Sequence, residues 1–185
     1  MNLTTLLKLP ISAGDGWVEL ARNPPALSKL FGAIVLPLSL LPPVMLYFAG
    51  THTPEAFLPG GAGRNWALMA LVFYLTEVLT VLGMGWLIRQ VADTNGLSLS
   101  YRQAYLLAGV APIPLWLSSL GLAVPDLTFN VLLSTAAMGL SCGIIYHGVQ
   151  AFCRTREEVV AAAIVQTVIG AGLIAWALLL VLALL

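Results

Sequence analysis

Five long apolar runs dominate the chain, at about Ser28–Gly50, Trp66–Ala92, Gln103–Val124, Thr128–Phe152 and Val159–Leu185. A helix needs roughly 20 residues at 1.5 Å each to cross a bilayer core, and each run is long enough. Strands of a membrane barrel would alternate apolar and polar residues over about ten positions. These runs do not alternate. In hydrocarbon every backbone amide must find its partner within the protein, so long uniform runs fold as helices. The expectation is an all-α membrane protein with five transmembrane helices.

Composition agrees. Hydrophobic residues make up 59% of the chain and charged residues 9%, against about 25% charged in soluble domains. Too little polar material is present to cover a water-exposed surface. The formal net charge is zero, so no basic field exists for nucleic acid. Cys142 and Cys153 lie about 16 Å apart along a helix, beyond disulfide reach. No cleavable signal peptide is expected before the first run.

Direction follows from the basic residues. Lys8, Arg22 and Lys29 precede or open the first run. Arg89 and Arg102 flank the second connection, and Arg154 and Arg156 lie in the fourth. Only Arg64 falls on the other side. The positive-inside rule puts the N-terminus in the cytoplasm and the C-terminus outside. An odd number of spans satisfies this asymmetry, whereas four or six would split the basic residues. The outer connections are Thr51–Asn65 and a tight turn at Pro125-Asp126.

Residues 1–27 read as a cytoplasmic or interfacial leader, with 28–185 as the membrane domain. In GDGWVELARNPP, Asp15 is a candidate cap for a short interfacial helix that Pro24-Pro25 would stop. Trp17 is expected at headgroup level, with Leu20 and Ala21 completing a short apolar side.

Glu77 is the sharpest polar feature. It stands eleven residues from Trp66, about 16 Å along the helix and near the bilayer middle. A charged side chain there costs at least ~2.5 kcal/mol and must face protein or water. Two readings follow: a proton or cation site, or a neutral carboxyl donating one hydrogen bond between packed helices. The second is preferred. Ser39, Ser141, Gln166 and Thr167 lie at similar depth and are candidate partners, though each taken singly reads as packing glue.

Pro37, Pro42, Pro43, Pro112 and Pro114 are expected to kink the first and third helices. Transporters use such breaks, but simple kinks are favoured here. Gly139 and Gly143 form a GxxxG on the fourth helix, read first as internal packing and second as a dimer face. His147, near the cytoplasmic boundary, lacks a second ligand and reads as an interfacial polar residue. Glu157 and Glu158 suit the start of the fifth helix. Neither a nucleophile motif nor a phosphate loop is present, and no cofactor or metal is expected.

The motifs GWVELARNP, PPVMLYFAG, SYRQAYLLAGVAPIPLWLSSL, YHGVQAF with Tyr146-x-Gly148, and the following REE occur in this order. In this order and on a five-span plan the chain resembles the Yip family, specifically its bacterial branch. The resemblance implies a helical bundle with a cytoplasmic N-terminus and no catalysis. Its eukaryotic members are adaptors in vesicle traffic and membrane shaping. Their long N-terminal region is not seen here, so Rab binding is not carried over, and Glu77 matches no family motif. The expected function is a non-enzymatic multi-pass protein of the bacterial inner membrane, an adaptor, organiser or accessory subunit. Its partners would be the lipid bilayer and a membrane protein or a second copy. The alternative is a small transporter or lipid-handling protein using Glu77.

Overall fold

The computed structural model describes residues 16, 17, 20, 25–153 and 158–184. Asp15, Glu19 and Ala21 of the expected leader helix lie outside them, as do Lys8, Arg22, Arg154, Arg156 and Glu157. The described residues are helical, without strands. Four stretches are long and apolar enough to cross a membrane: Leu27–His52, Trp66–Thr94, Tyr101–Ala123 and Leu127–Phe152. A shorter apolar helical stretch, Ala162–Ile174, follows.

The first stretch is segmented as its prolines require. Helix α1 (Leu27–Leu30) runs into a π turn (Phe31–Val35), then α2 (Leu36–Ser39) and α3 (Leu41–His52). The wide π turn precedes Pro37, and the joint at Leu40 precedes Pro42 and Pro43. A proline has no N–H to give to the preceding turn, so the hydrogen-bond ladder breaks there. A short α4 (Pro54–Phe57) follows. In that connection the Glu55 carboxylate accepts from the amides of Gly60 and Ala62.

Helix α5 (Trp66–Thr94) is unbroken. The Asn65 side chain caps it by accepting from Leu68 N at 3.1 Å. Its far end closes on Gly96, at φ 73°, where Leu97 N reaches back to Ala92 O at 2.9 Å. This left-handed turn satisfies carbonyls that a helix end leaves orphaned. Helix α6 (Tyr101–Val110) opens with a reciprocal cap between Ser100 and Gln103. The stretch breaks at Ala111-Pro112 and continues as α7 (Ile113–Ser118) and a 3₁₀ turn (Ser119–Ala123). Asp126 caps α8 (Leu127–Cys153) by accepting from Phe129 N. Helix α9 (Glu158–Leu184) is the last.

The third stretch is the centre of the bundle. Half of its most apolar window is buried by protein, against 6% for the second stretch. Helix α6 packs on α5, α1 and α8, while α7 packs on α8, α2 and α3. Leu106, Leu107 and Val110 join Val81 and Ile88 of α5 with Ile144 and Val149 of α8 in one core. Helix α5 instead shows Leu68, Leu71, Leu75 and Leu79 outward, the face lipid would cover.

Trp17 departs from expectation. Its ring is fully buried, 5.6 Å from Phe152 in an edge-on contact. It also lies against Gly148, where a Cβ would meet both Trp17 and Leu107. The tryptophan is a core residue, and a flat apolar ring gains more from a glycine-lined slot than from the headgroup layer. Three of the sequence motifs thus converge here: GWVELARNP through Trp17, YLLAG through Leu107, and YHGVQAF through Gly148 and Phe152.

Candidate functional site

Glu77 projects from the middle of α5 towards α7. Its Oε1 accepts the indole N–H of Trp116 across 39 residues of sequence. Trp116 is 1% exposed, so its N–H has no water to turn to and requires a protein acceptor. Glu77 is therefore an acceptor in a contact between helices, where the sequence reading had it donating. Its Oε2 is enclosed by protein and has no hydrogen-bond partner. The pair joins the uninterrupted α5 to α7, the second half of the broken third stretch. That half is joined to α6 at a proline break, and the indole ties it to a straight neighbour.

None of the four candidate polar partners bonds Glu77. Ser39 is buried on α2, which packs against both α5 and α7, but its hydroxyl donates to Leu36 O at 3.3 Å. Thr167 is exposed and donates to Ala163 O at 2.8 Å. Ser141 is buried and its Oγ has no partner. Gln166 is exposed and lines a groove between α8 and α9 with Cys142, Gly143 and Tyr146. Hydroxyls nearer Glu77 also turn back to their own helices: Thr76 to Val72 O, Thr80 to Thr76 O, Ser118 to Leu115 O and Ser119 to Trp116 O. A hydroxyl three or four residues on from a carbonyl reaches it without help from another helix.

Trp116 was the partner that polarity alone could not suggest. The signal was nevertheless present. A tryptophan inside an apolar run carries one donor that must be satisfied, and of the two carboxylates in the membrane-length stretches Glu77 is the one away from a helix end, Asp93 standing in the last turn of α5.

The expected internal packing of Gly139 is not found, since a Cβ there meets nothing within 4 Å. Close approaches fall on other glycines. A Cβ at Gly50 would enter the Trp66 ring, and one at Gly85 would lie 2.6 Å from Tyr105. Gly143 lines the α8–α9 groove, which is open and apolar with a volume of about 460 Å³. A second apolar groove of about 300 Å³ lies between α3 and α5 at Tyr47 and Tyr74. Glu77 lines neither. His147 has a buried Nδ1 without a partner and sits edge-on to Tyr146. Among the described residues no three His, Cys, Asp or Glu side chains cluster as a metal would need.

The contact that Glu77 makes is thus one between helices, with one carboxyl oxygen held by an indole and the other unpartnered. The Yip1 domain model matches residues 7–179. No curated protein and no solved structure matches the chain. With nearly its whole length matched, the chain belongs to the Yip1 domain family of non-enzymatic, multi-pass helical membrane proteins.

Proposed function

We propose that this protein is a five-span adaptor or organiser of the bacterial inner membrane, with its N-terminus in the cytoplasm, its C-terminus outside and a short leader before the first span. It would assist a membrane-protein partner or a second copy of itself. One observation supports this reading above others. Glu77 is engaged by Trp116 of another helix, and the hydroxyls of Ser39, Thr76 and Thr80 are taken up by carbonyls of their own helices. A scaffold needs such contacts, whereas a carrier needs polar groups facing a path. Affinity purification of the full chain in mild detergent is expected to recover a reproducible membrane partner or a homo-oligomer. A clean monomer without a partner would count against it.

A second reading is a small transporter or lipid-handling protein. It draws on the orphan Oε2 of Glu77 and on the proline breaks in the first and third stretches. Under it, Glu77→Gln abolishes transport in proteoliposomes while the protein still folds. Transport unchanged in that variant removes the carboxylate from the mechanism.

A further inference from the structure

The inner end of the α5–α6 hairpin holds a guanidinium whose donors the protein does not use. Arg89 Cζ lies 3.5 Å from the centre of the Tyr101 ring, within the range of a cation–π contact. Its Nε is 3.6 Å from Asp93 Oδ2, an ion pair too long for a hydrogen bond. Nε and Nη1 are enclosed by protein and have no hydrogen-bond partner. The side chain as a whole is nevertheless 30% exposed. Since Nε and Nη1 are covered, that exposure belongs to the Nη2 end and the aliphatic stem.

The other polar groups at this end are occupied. Asn95 donates to Val91 O, Thr94 donates to Val91 O, and the Gln103 carboxamide oxygen accepts from Ser100. Arg89 is stacked on Tyr101 and paired at 3.6 Å with Asp93, yet makes no hydrogen bond through Nε or Nη1. Arg102, next to Tyr101 in the first turn of α6, is exposed. Tyr101, beneath the guanidinium, and Trp86, three residues before Arg89 on α5, are both 56% exposed.

Depth says what the acceptor is. Trp66 opens α5 and Trp86 follows twenty residues later, about 30 Å along the helix. That is the thickness of the hydrocarbon core, and tryptophans favour its two boundaries. Arg89 lies about 4.5 Å further along, at the level of lipid phosphates. Charge says which lipid. Arg89 and Arg102 against Asp93 leave one net positive charge, which a headgroup with one net negative charge neutralises.

We propose that Arg89, held by Tyr101 and Asp93, forms with Arg102 a binding site for the phosphate of an anionic phospholipid. A planar guanidinium fixed by stacking is preorganised for a phosphate oxygen. The site rests on α5 crossing the bilayer and is independent of whether the protein is an adaptor or a carrier.

The test uses the full chain in neutral detergent, titrated with phosphatidylglycerol, with phosphatidylcholine and with inorganic phosphate, and read by native mass spectrometry. Phosphatidylglycerol should bind in preference to phosphatidylcholine, and excess inorganic phosphate should not displace it. Arg89→Gln and Arg102→Gln should each weaken phosphatidylglycerol binding about fivefold or more, from the usual worth of one basic residue at an anionic surface. Arg89→Lys, which keeps the charge but loses the stacked fork, should fall between wild type and Arg89→Gln. Arg64→Gln, at the other end of α5, should leave binding unchanged. Arg102 is exposed, so its variant tests the site even if Arg89→Gln fails to fold. Unchanged binding in Arg102→Gln and Arg89→Lys, equal binding of the two lipids, or displacement by inorganic phosphate would each overturn the proposal.

Discussion

Trp116 gives its indole N–H to Oε1 of Glu77, joining an unbroken helix to the second half of a broken one. The two residues have unequal stakes in the bond. Trp116→Phe keeps most of the ring but leaves both carboxyl oxygens of Glu77 without a partner. A buried polar group stripped of its partner costs about 1–3 kcal/mol. Glu77→Gln keeps a carbonyl oxygen for the indole, and hydrogen bonds between membrane helices average ~0.6 kcal/mol, so its cost should be small. Thermal unfolding in detergent should rank Trp116→Phe below Glu77→Gln. The reverse order would mean that the bond does not hold α7.

Gly148 and Gly139 occupy the same helix and should respond oppositely to alanine. A methyl at Gly148 runs into the Leu107 side chain and the Trp17 ring. Overpacking of this kind costs about 1–3 kcal/mol. A methyl at Gly139 meets nothing, and replacing a helical glycine by alanine gains up to ~1 kcal/mol. The check is the melting temperature of each variant in the same detergent. If Gly139→Ala instead lowers stability or splits an oligomer, α8 meets another copy of the chain through that face.

Trp17 should behave as core. Truncating a buried tryptophan to alanine costs about 3–5 kcal/mol, because Phe152, Leu107 and Gly148 lose the surface they pack on. Trp17→Phe keeps part of that surface and should cost less. A headgroup tryptophan would show neither effect, so a melting temperature unchanged in Trp17→Ala would return the residue to the interface.

How much of this was readable beforehand depended on the kind of interaction. Helix positions were readable because lipid makes length and hydropathy decisive, and the joints at Leu40 and Ala111-Pro112 follow directly from prolines that lack a donor. Contacts between helices were not. Four polar residues at the depth of Glu77 looked like partners, yet depth fixes only one coordinate of three. The face each helix presents is set by packing, and it turned Ser39 and Thr167 towards their own carbonyls. Glycines misled for the same reason. The GxxxG spacing places Gly139 and Gly143 on one side of α8 but says nothing of what stands opposite, while the glycines that admit a neighbouring ring, Gly50, Gly85 and Gly148, carry no such spacing. Trp17 was misplaced because proximity to a span was taken as depth, when a slot at Gly148 was waiting for a ring.

Orientation is open to a direct test on α5. Ala62 lies exposed in the connection before α5, near Arg64 in sequence, and Thr94 lies exposed at the other end of the helix, five residues on from Arg89. With Cys142 and Cys153 replaced by alanine, single cysteines at these two positions report the two faces of the membrane. In intact cells a membrane-impermeant maleimide should label Ala62→Cys and spare Thr94→Cys, while inside-out vesicles should reverse the pattern. The reasoning is electrostatic, since basic residues near short connections are retained on the cytoplasmic side, and Arg89 and Arg102 flank the connection that Thr94 enters. Labelling of Thr94→Cys from outside would invert the protein. The lipid site would survive that result as a phosphate site but would then face the outer leaflet, and the N-terminal leader would lie outside with it.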